Sequence, residues 1–356
     1  MTEIRTKPFM PPSADALRRA GINALMRTAN AHLISVVEGG RPEKIAERNW
    51  PYDSDAALLI KGAVSTMTTT SAAALVRLTA HFVASLSPAY ASAAFLTQTL
   101  QLSFDGAGTI TVGAFIVDGG KAGFVKQGAP IPVYSQLVTP CILEPSTIKT
   151  ISTLTAEMVT GSNAQALIED VLRQNVGLAL DGALFDANPA VAATRPAGLR
   201  HGIAALTASV ATDPTDAMLA DIATVAAGVA HAAGNSPITL VANPVRAIML
   251  KLRTPRDLPM TVLASSAIAP ADLVALAPSA VVSATDGVPE ISAAKATLVH
   301  QDDAPTNIGT EGSPNVVAAP TISTYQTDAL ALKCSMQASW ARRDDRAVAW
   351  LSATGW

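Results

Sequence analysis

The histidines are the first side chains to test for chemistry: His32, His81, His201, His231 and His300. A zinc or iron site needs clustered ligands, and none of the five has a second histidine three or four residues away. Paired carboxylates occur at Asp302-Asp303 and Asp344-Asp345, both in polar, turn-like stretches. Adjacent acids in turns are normally solvated, so they read as turn residues rather than calcium ligands or an acid/base pair. Gly309-Thr310-Glu311-Gly312-Ser313-Pro314 has the glycines of a phosphate loop but neither the lysine nor the following helix, and reads as a plain loop. The glycine-rich dinucleotide and nucleotide signatures, G-x-S-x-G and H-E-x-x-H are absent. Cys141 and Cys334 are the only cysteines, each in an apolar, strand-like setting, which suits buried free thiols better than a disulfide or a metal site. The expectation is a protein with no catalytic, cofactor-binding or metal residues: not an enzyme.

At 356 residues the chain exceeds the size at which one core stops growing, so two domains, or one with large excursions, are expected. Hydrophobic residues make up 49% and charged residues 15%, against about 25% charged in an ordinary soluble domain. Something must cover that apolar surface. The uncharged stretch Leu78 to Ser103 is interrupted by Ser85, Ser87, Pro88, Ser92, Thr97, Gln98, Thr99 and Gln101, so it fails as a membrane span. Copies of the same chain are the better cover, because large obligate interfaces are poor in charge. Met1 to Pro12 holds Glu3, Arg5 and Lys7 and lacks the apolar core of a secretory signal, which fits the cytoplasm of the producing cell. A formal net charge of -3 gives no broad basic field, so tight nucleic-acid binding by the whole chain is not expected.

The elements follow from local pattern. Ser13 can cap a helix with Leu17, Ile22, Leu25, Met26, Ala29, Leu33 and Val36 on its apolar face, stopped by Gly39-Gly40 and Pro42. Interleaved charges make this segment a solvated helix face rather than a nucleic-acid arm. Thr66 to Ser71 reads as a linker, and a helix from Ser71 ends near Pro88. Thr109 to Val117, Ala122 to Lys126 and Gln136 to Leu143 read as strands of a long two-stranded excursion, with a turn at Asp118-Gly119-Gly120. Such an element has no core of its own and must rest on something else. Ser162 and Gln165 form a capping box for a helix from Asn163 to Asp186, roughly 35 Å long. Asp213-Pro214 starts another helix running to Gly234-Asn235. Ile238 to Ala242 is a strand, Pro244 to Leu252 a short helix, and Thr261 to Ala264, Ala280 to Ser283 and Ala296 to His300 are strands. From Leu330 to Trp340 every even position is apolar or small, the mark of a half-buried strand. Arg342 to Arg346 then turns the chain into Ala347 to Leu351, a carboxy-terminal hairpin. Irregular mixing of helices and strands predicts an α+β fold.

These motifs, in this order, resemble the major capsid proteins of tailed phages. Phe124-Val125-Lys126-Gln127-Gly128-Ala129-Pro130-Ile131-Pro132 resembles the tip and return of their extended loop. Lys149 to Val159 resembles the strand that follows and the start of the peripheral domain. Ala164 to Asp186, ending VGLALDGALFD, resembles the long spine helix. Pro196-Ala197-Gly198-Leu199 resembles the link into the axial domain, LVANP at Leu240 to Pro244 an axial-domain strand, and the final strands close the peripheral domain. The resemblance spans about residues 70 to 356.

It implies an N-terminal arm or scaffold-like segment (1–65), its helical continuation (66–108), the extended loop (109–142), the peripheral domain with spine helix (143–200), the axial domain (201–317) and the peripheral-domain hairpin (318–356). It implies a shell subunit forming hexamers and pentamers around double-stranded DNA. Scaffold, portal and decoration proteins are its further partners, with no membrane and no cofactor, in a virion capsid assembled in the host cytoplasm. Phe124, Val125, Lys126 and Gln127 are then candidates for the assembly interface, and Trp340 and Trp350 for the peripheral-domain core. An encapsulin-like nanocompartment shell is the alternative, and an α+β enzyme with an unfamiliar site a more distant one. Two departures matter. Gln127 stands before Gly128 where the family often has Glu, and no Asn follows Asn315 to accept a cross-link from Lys121 or Lys126, so no such bond is expected.

Overall fold

The computed structural model describes residues 14–51, 56, 60, 86, 89–104, 108–113, 124–126, 141–160, 164–254, 260–302, 309, 321–352 and 354–356. In chain order the elements are α1 (Ala14–Glu38), α2 (Pro42–Asn49), α3 (Ala91–Leu96), β1 (Leu100–Leu102), β2 (Ile110–Val112), β3 (Cys141–Leu143), β4 (Ser146–Thr155) and α4 (Ala156–Thr160). Next come α5 (Ala164–Leu184), α6 (Pro214–Ala233), β5 (Ile238–Ala242), α7 (Pro244–Arg253), β6 (Met260–Ala264), β7 (Leu273–Leu276) and β8 (Val281–Ala294). The last are β9 (Leu298–His300), β10 (Thr321–Ser323), β11 (Ala329–Arg342) and β12 (Val348–Leu351). The fold is α+β. It divides into two compact units, one of Met1–Ser85, Thr153–Glu169 and Ile291–Leu332, the other of Leu86–Ser152, Asp170–Glu290 and Lys333–Trp356.

In the first unit, α1 buries Ala24, Met26, Ala29, Ala31 and Leu33. It packs on α2 through a cluster of Ala31, Ile45, Ala46 and Ile60, with Ile34 and Trp50 at its margin. Gly39 and Gly40 do end α1, at φ of 73° and 129°, where a side chain would be strained. Pro42 does not extend the stop, as its ring had suggested. It opens α2, in the first turn, where a missing N–H costs nothing. β9 and β10 pair antiparallel, Val299 opposite Ile322. The helix expected from Ser71 lies outside the described residues apart from Leu86, which is helical and buried.

The second unit is built on a sheet of order β12-β7-β5-β6. β5 and β6 are parallel, joined across α7, while β7 is antiparallel to both β5 and β12. α6 lies over β12, β7 and β5, burying Met218, Ile222, Val225, Val229 and Ala232. Its start is fixed locally: Asp213 Oδ1 accepts from the N–H groups of Thr215 (2.8 Å) and Asp216 (3.1 Å), and Pro214 occupies the first turn. Among the described residues α6 is also the one helix long and apolar enough to cross a membrane by length and composition. The packing of its inner face on the sheet accounts for that apolarity.

The strand expected over Ala280 to Ser283 is the start of a longer one, β8, which pairs parallel with β1, Leu100 opposite Val282. β7 had no signal in the sequence. All four of its residues are buried, and a strand covered on both faces shows no alternation.

The carboxy-terminal hairpin does not form. β11 sits in a sheet of order β1-β8-β11-β4, and β12 pairs with β7 in the other sheet, Trp350 opposite Val274. The stretch Arg342 to Arg346 passes the chain between sheets. Arg343 N–H donates to Ala280 O (2.8 Å), and Ala277 N–H to Ala347 O (2.8 Å). β12 buries Val348, Ala349 and Leu351, which suits a strand under α6 better than half of a two-faced hairpin.

Both cysteines are free. Burial pushes the Cys334 thiol up to about 11 and raises half-buried Cys141 as well. The folded state then holds more protons than the unfolded one from pH 9.0 to about 11, so stability falls as pH rises across that window. With a maleimide near about pH 7, Cys141 is expected to label first and Cys334 only after denaturation, read by mass spectrometry of the peptides. Equal labelling of the two in the folded chain would contradict this burial.

Candidate functional site

The chain enters residues 114–140 from β2 and leaves them into β3. β2 and β3 are antiparallel, with Ile110 opposite Leu143 and Val112 opposite Cys141. This base rests on a core of Phe104, Leu143, Val282 and Ala284, and Arg343 Nε donates to Gly113 O at 3.0 Å where the chain leaves β2. Beyond the base, residues 124–126 carry no strand, which corrects the expectation of a strand over Ala122 to Lys126. The rest of that strand, the turn at 118–120 and residues 127–140 lie outside the described residues.

Phe124 is wholly exposed (113%), Val125 is exposed at 39%, and Lys126 beside them is exposed too. Gln127 is outside the described residues. Three of the four candidate interface residues therefore stand together in solvent. An exposed benzyl group forgoes about 2–3 kcal/mol of burial free energy, which contact with another surface would recover.

The two candidate core tryptophans belong to different sheets. Trp340, on β11, is buried (4% exposed) and its indole N–H donates to Ala197 O at 2.9 Å. Trp350, on β12, is half-buried; its indole N–H donates to Ile203 O at 2.9 Å, and the Arg200 guanidinium lies 4.9 Å from its ring centroid. Both indoles thus fasten one stretch, 197–203.

That stretch also closes the end of α5, a helix of 21 residues. Leu199 N–H donates to Leu184 O (2.8 Å) and Arg200 N–H to Asp186 O (3.1 Å), so carbonyls at and just beyond the helix end find partners. Arg195 Nη2 donates to both carboxylate oxygens of Asp186 (2.8 and 2.7 Å). Arg200 pairs with Asp272 at 2.7 Å and donates to Phe185 O.

Gly198 explains part of the Pro196-Ala197-Gly198-Leu199 motif. A Cβ there would collide with the Asp186 carboxylate and lie 2.6 Å from its carbonyl carbon. Gly198→Ala is expected to cost about 1–3 kcal/mol, seen as a lower midpoint in chemical denaturation. A shift within error would mean that the link does not lie against Asp186.

A cleft of about 370 Å³ opens beside Trp340, with Ile142, Glu144, Val191, Arg195 and Arg342 among its lining residues. Its polar groups are largely engaged: Arg195 with Asp186, the Trp340 N–H with Ala197, and Arg342 with Leu199 O and Asp345. Among the described residues no three His, Cys, Asp or Glu side chains come together to hold a metal ion. Of the acid pair at the turn, Asp344 is raised by burial, but hydrogen bonds from the Arg346 side chain and backbone N–H outweigh this and hold it below the usual carboxylate range. It caps the turn, and its partner Asp345 is exposed.

Two buried acids had no signal in the sequence. Asp181 accepts from Ser92 N–H (2.8 Å) and Ser265 Oγ–H (2.6 Å), tying α5 to α3 and to the end of β6. Asp221 accepts from Ser209 N–H (2.6 Å) and the Trp356 indole (2.7 Å).

No protein-family model matches the sequence, and no curated protein matches it. Solved structures do. A chain from Microbacterium phage Oxtober96 is similar with a TM-score of 0.48 at 15% identity, over 73% of this chain and 90% of that one. A chain of the satellite phage P4 procapsid including the size determination (Sid) protein is similar with a TM-score of 0.44 at 11% identity, over 82% and 92%. A chain of the capsid of an empty GTA particle is similar with a TM-score of 0.44 at 10% identity, over 74% and 91%. The likeness is one of chain path alone.

Proposed function

We propose that this chain is a major capsid protein, structural rather than catalytic, that assembles with copies of itself into hexamers and pentamers of an icosahedral shell around double-stranded DNA. The observation that carries the reading is the loop at Phe124 and Val125, apolar and solvent-exposed, on a base anchored in the core. A solitary subunit gains nothing from that arrangement, whereas a neighbour's surface would bury it. The charge-poor composition and the ordered motifs from the loop through the spine helix to the Pro196–Leu199 link support the same reading. Heterologous contacts that close make rings, and rings joined at several points per subunit make a durable shell. Within this reading residues 143–200 and β11 form the peripheral domain and residues 201–317 the axial domain, with β12 joining the axial sheet. Residues 1–65 act as arm or scaffold segment. The finished protein resides in a virion, with DNA held non-specifically inside and with scaffold, portal and decoration proteins as further partners.

Negative-stain electron microscopy of the purified chain, with sedimentation alongside, tests the proposal. Closed shells or capsomer rings are expected. A monodisperse monomer under all assembly conditions overturns it. Nuclease-protected double-stranded DNA in particles isolated from producing cells supports a DNA shell, while a protein cargo makes the particle an encapsulin-like compartment.

A further inference from the structure

α7 is built inside out on one side. It packs on β5 and β6, burying Ala247 and Leu250. Arg246 is held within the subunit: its guanidinium stacks 4.6 Å from the Trp356 ring centroid and donates to Thr354 O (2.9 Å) and Pro270 O (3.1 Å). Val245, Ile248, Met249 and Leu252 recur at i, i+3, i+4 and i+7, the spacing of one helix face. They are 62%, 60%, 36% and 79% exposed. Ordinary surface helices turn such a stripe toward the core and a polar face outward. Here the large apolar side chains face solvent.

We infer that this stripe is a contact between copies of the chain, an interface separate from the Phe124 loop; the inference rests on the shell reading. The four side chains present on the order of 400 Å² of apolar surface, the size of the largest and often functional patch on a typical monomer. One partner in a standard interface contributes about 800 Å². The stripe is thus too small to hold an isolated dimer, and it suits one of several contacts that act together on a subunit held at more than one place. A lipid surface fits less well. At 10 residues α7 is about 15 Å long, and its last turn carries only two basic side chains, Lys251 and Arg253.

The test compares the wild-type chain with Ile248→Asp and with Ile248→Asp/Leu252→Asp. Both positions are exposed, so circular dichroism and thermal melting are expected to match wild type, while particle yield falls at least tenfold. Wild-type yield from the double variant overturns the inference and leaves the shell reading standing. A wild-type chain that never assembles removes both. Photo-crosslinking gives a readout independent of the charged variants: p-benzoylphenylalanine at position 252 is expected to give covalent dimers in assembled particles, and crosslinks within one chain only would overturn the inference. Flotation of wild-type subunits with phosphatidylserine vesicles, abolished by Ile248→Asp, would likewise overturn it in favour of a membrane surface.

Discussion

Trp340→Ala lowers the unfolding free energy by about 3–5 kcal/mol, the expected cost of truncating a buried tryptophan. The side chain is 4% exposed on β11 and lines the cleft. Its removal leaves a cavity that can collapse only partly, because Arg195 and Asp186 hold the neighbouring wall. It also strips Ala197 O of its indole donor, worth about 1 kcal/mol of that total. Trp340→Phe, which keeps most of the apolar bulk but not the donor, is expected to cost about 1–2 kcal/mol. Trp350→Ala is expected to cost less than Trp340→Ala, since Trp350 is half-buried and its ring is partly covered by Arg200. Equilibrium denaturation of the full chain gives all three numbers. A loss under about 1 kcal/mol for Trp340→Ala would contradict the packing described.

Under the proposed shell reading, Phe124→Asp is expected to abolish assembly and to leave the subunit folded. Phe124 is fully exposed, so the substitution removes nothing from the subunit's own core, and thermal melting is expected to be unchanged. In an assembled contact it replaces about 2–3 kcal/mol of apolar burial with a desolvated carboxylate. The penalty recurs at every subunit, so a modest change at one contact removes the closed particle. Val125→Asp is expected to act in the same direction but less, because Val125 is already partly covered, and Lys126→Ala to leave yield near wild type. Sedimentation and electron microscopy of each variant measure the outcome. Full particle yield from Phe124→Asp would show that the loop does not pack on a neighbour.

Much of the secondary structure is legible in the sequence because its signals are local. Asp213-Pro214 and Asn243-Pro244 set the starts of α6 and α7 through a side-chain oxygen that accepts from backbone N–H groups two or three residues on. β5 was bounded by its apolar run, and β11 by alternation, with Leu330, Leu332, Cys334, Met336, Ala338 and Trp340 all buried. The surroundings of Phe124 were not legible from local pattern, which suggested a strand where residues 124–126 carry none. Partner choice was not legible. β12 follows β11 after a short turn yet pairs with β7, because β7 and α6 offer it a buried place that a hairpin would not. Nor does any local pattern pair Arg200 with Asp272, Asp181 with Ser265, or Asp221 with Trp356, residues 72, 84 and 135 apart in the chain. The outward stripe of α7 belongs here too: Val245, Ile248, Met249 and Leu252 share one helix face, and the packing of α7 on β5 and β6 leaves that face in solvent. Caps and periodicity act within one turn or one strand, so the chain by itself determined the elements that carry such local signals. Which faces meet depends on contacts between distant segments, and only the tertiary structure decided that.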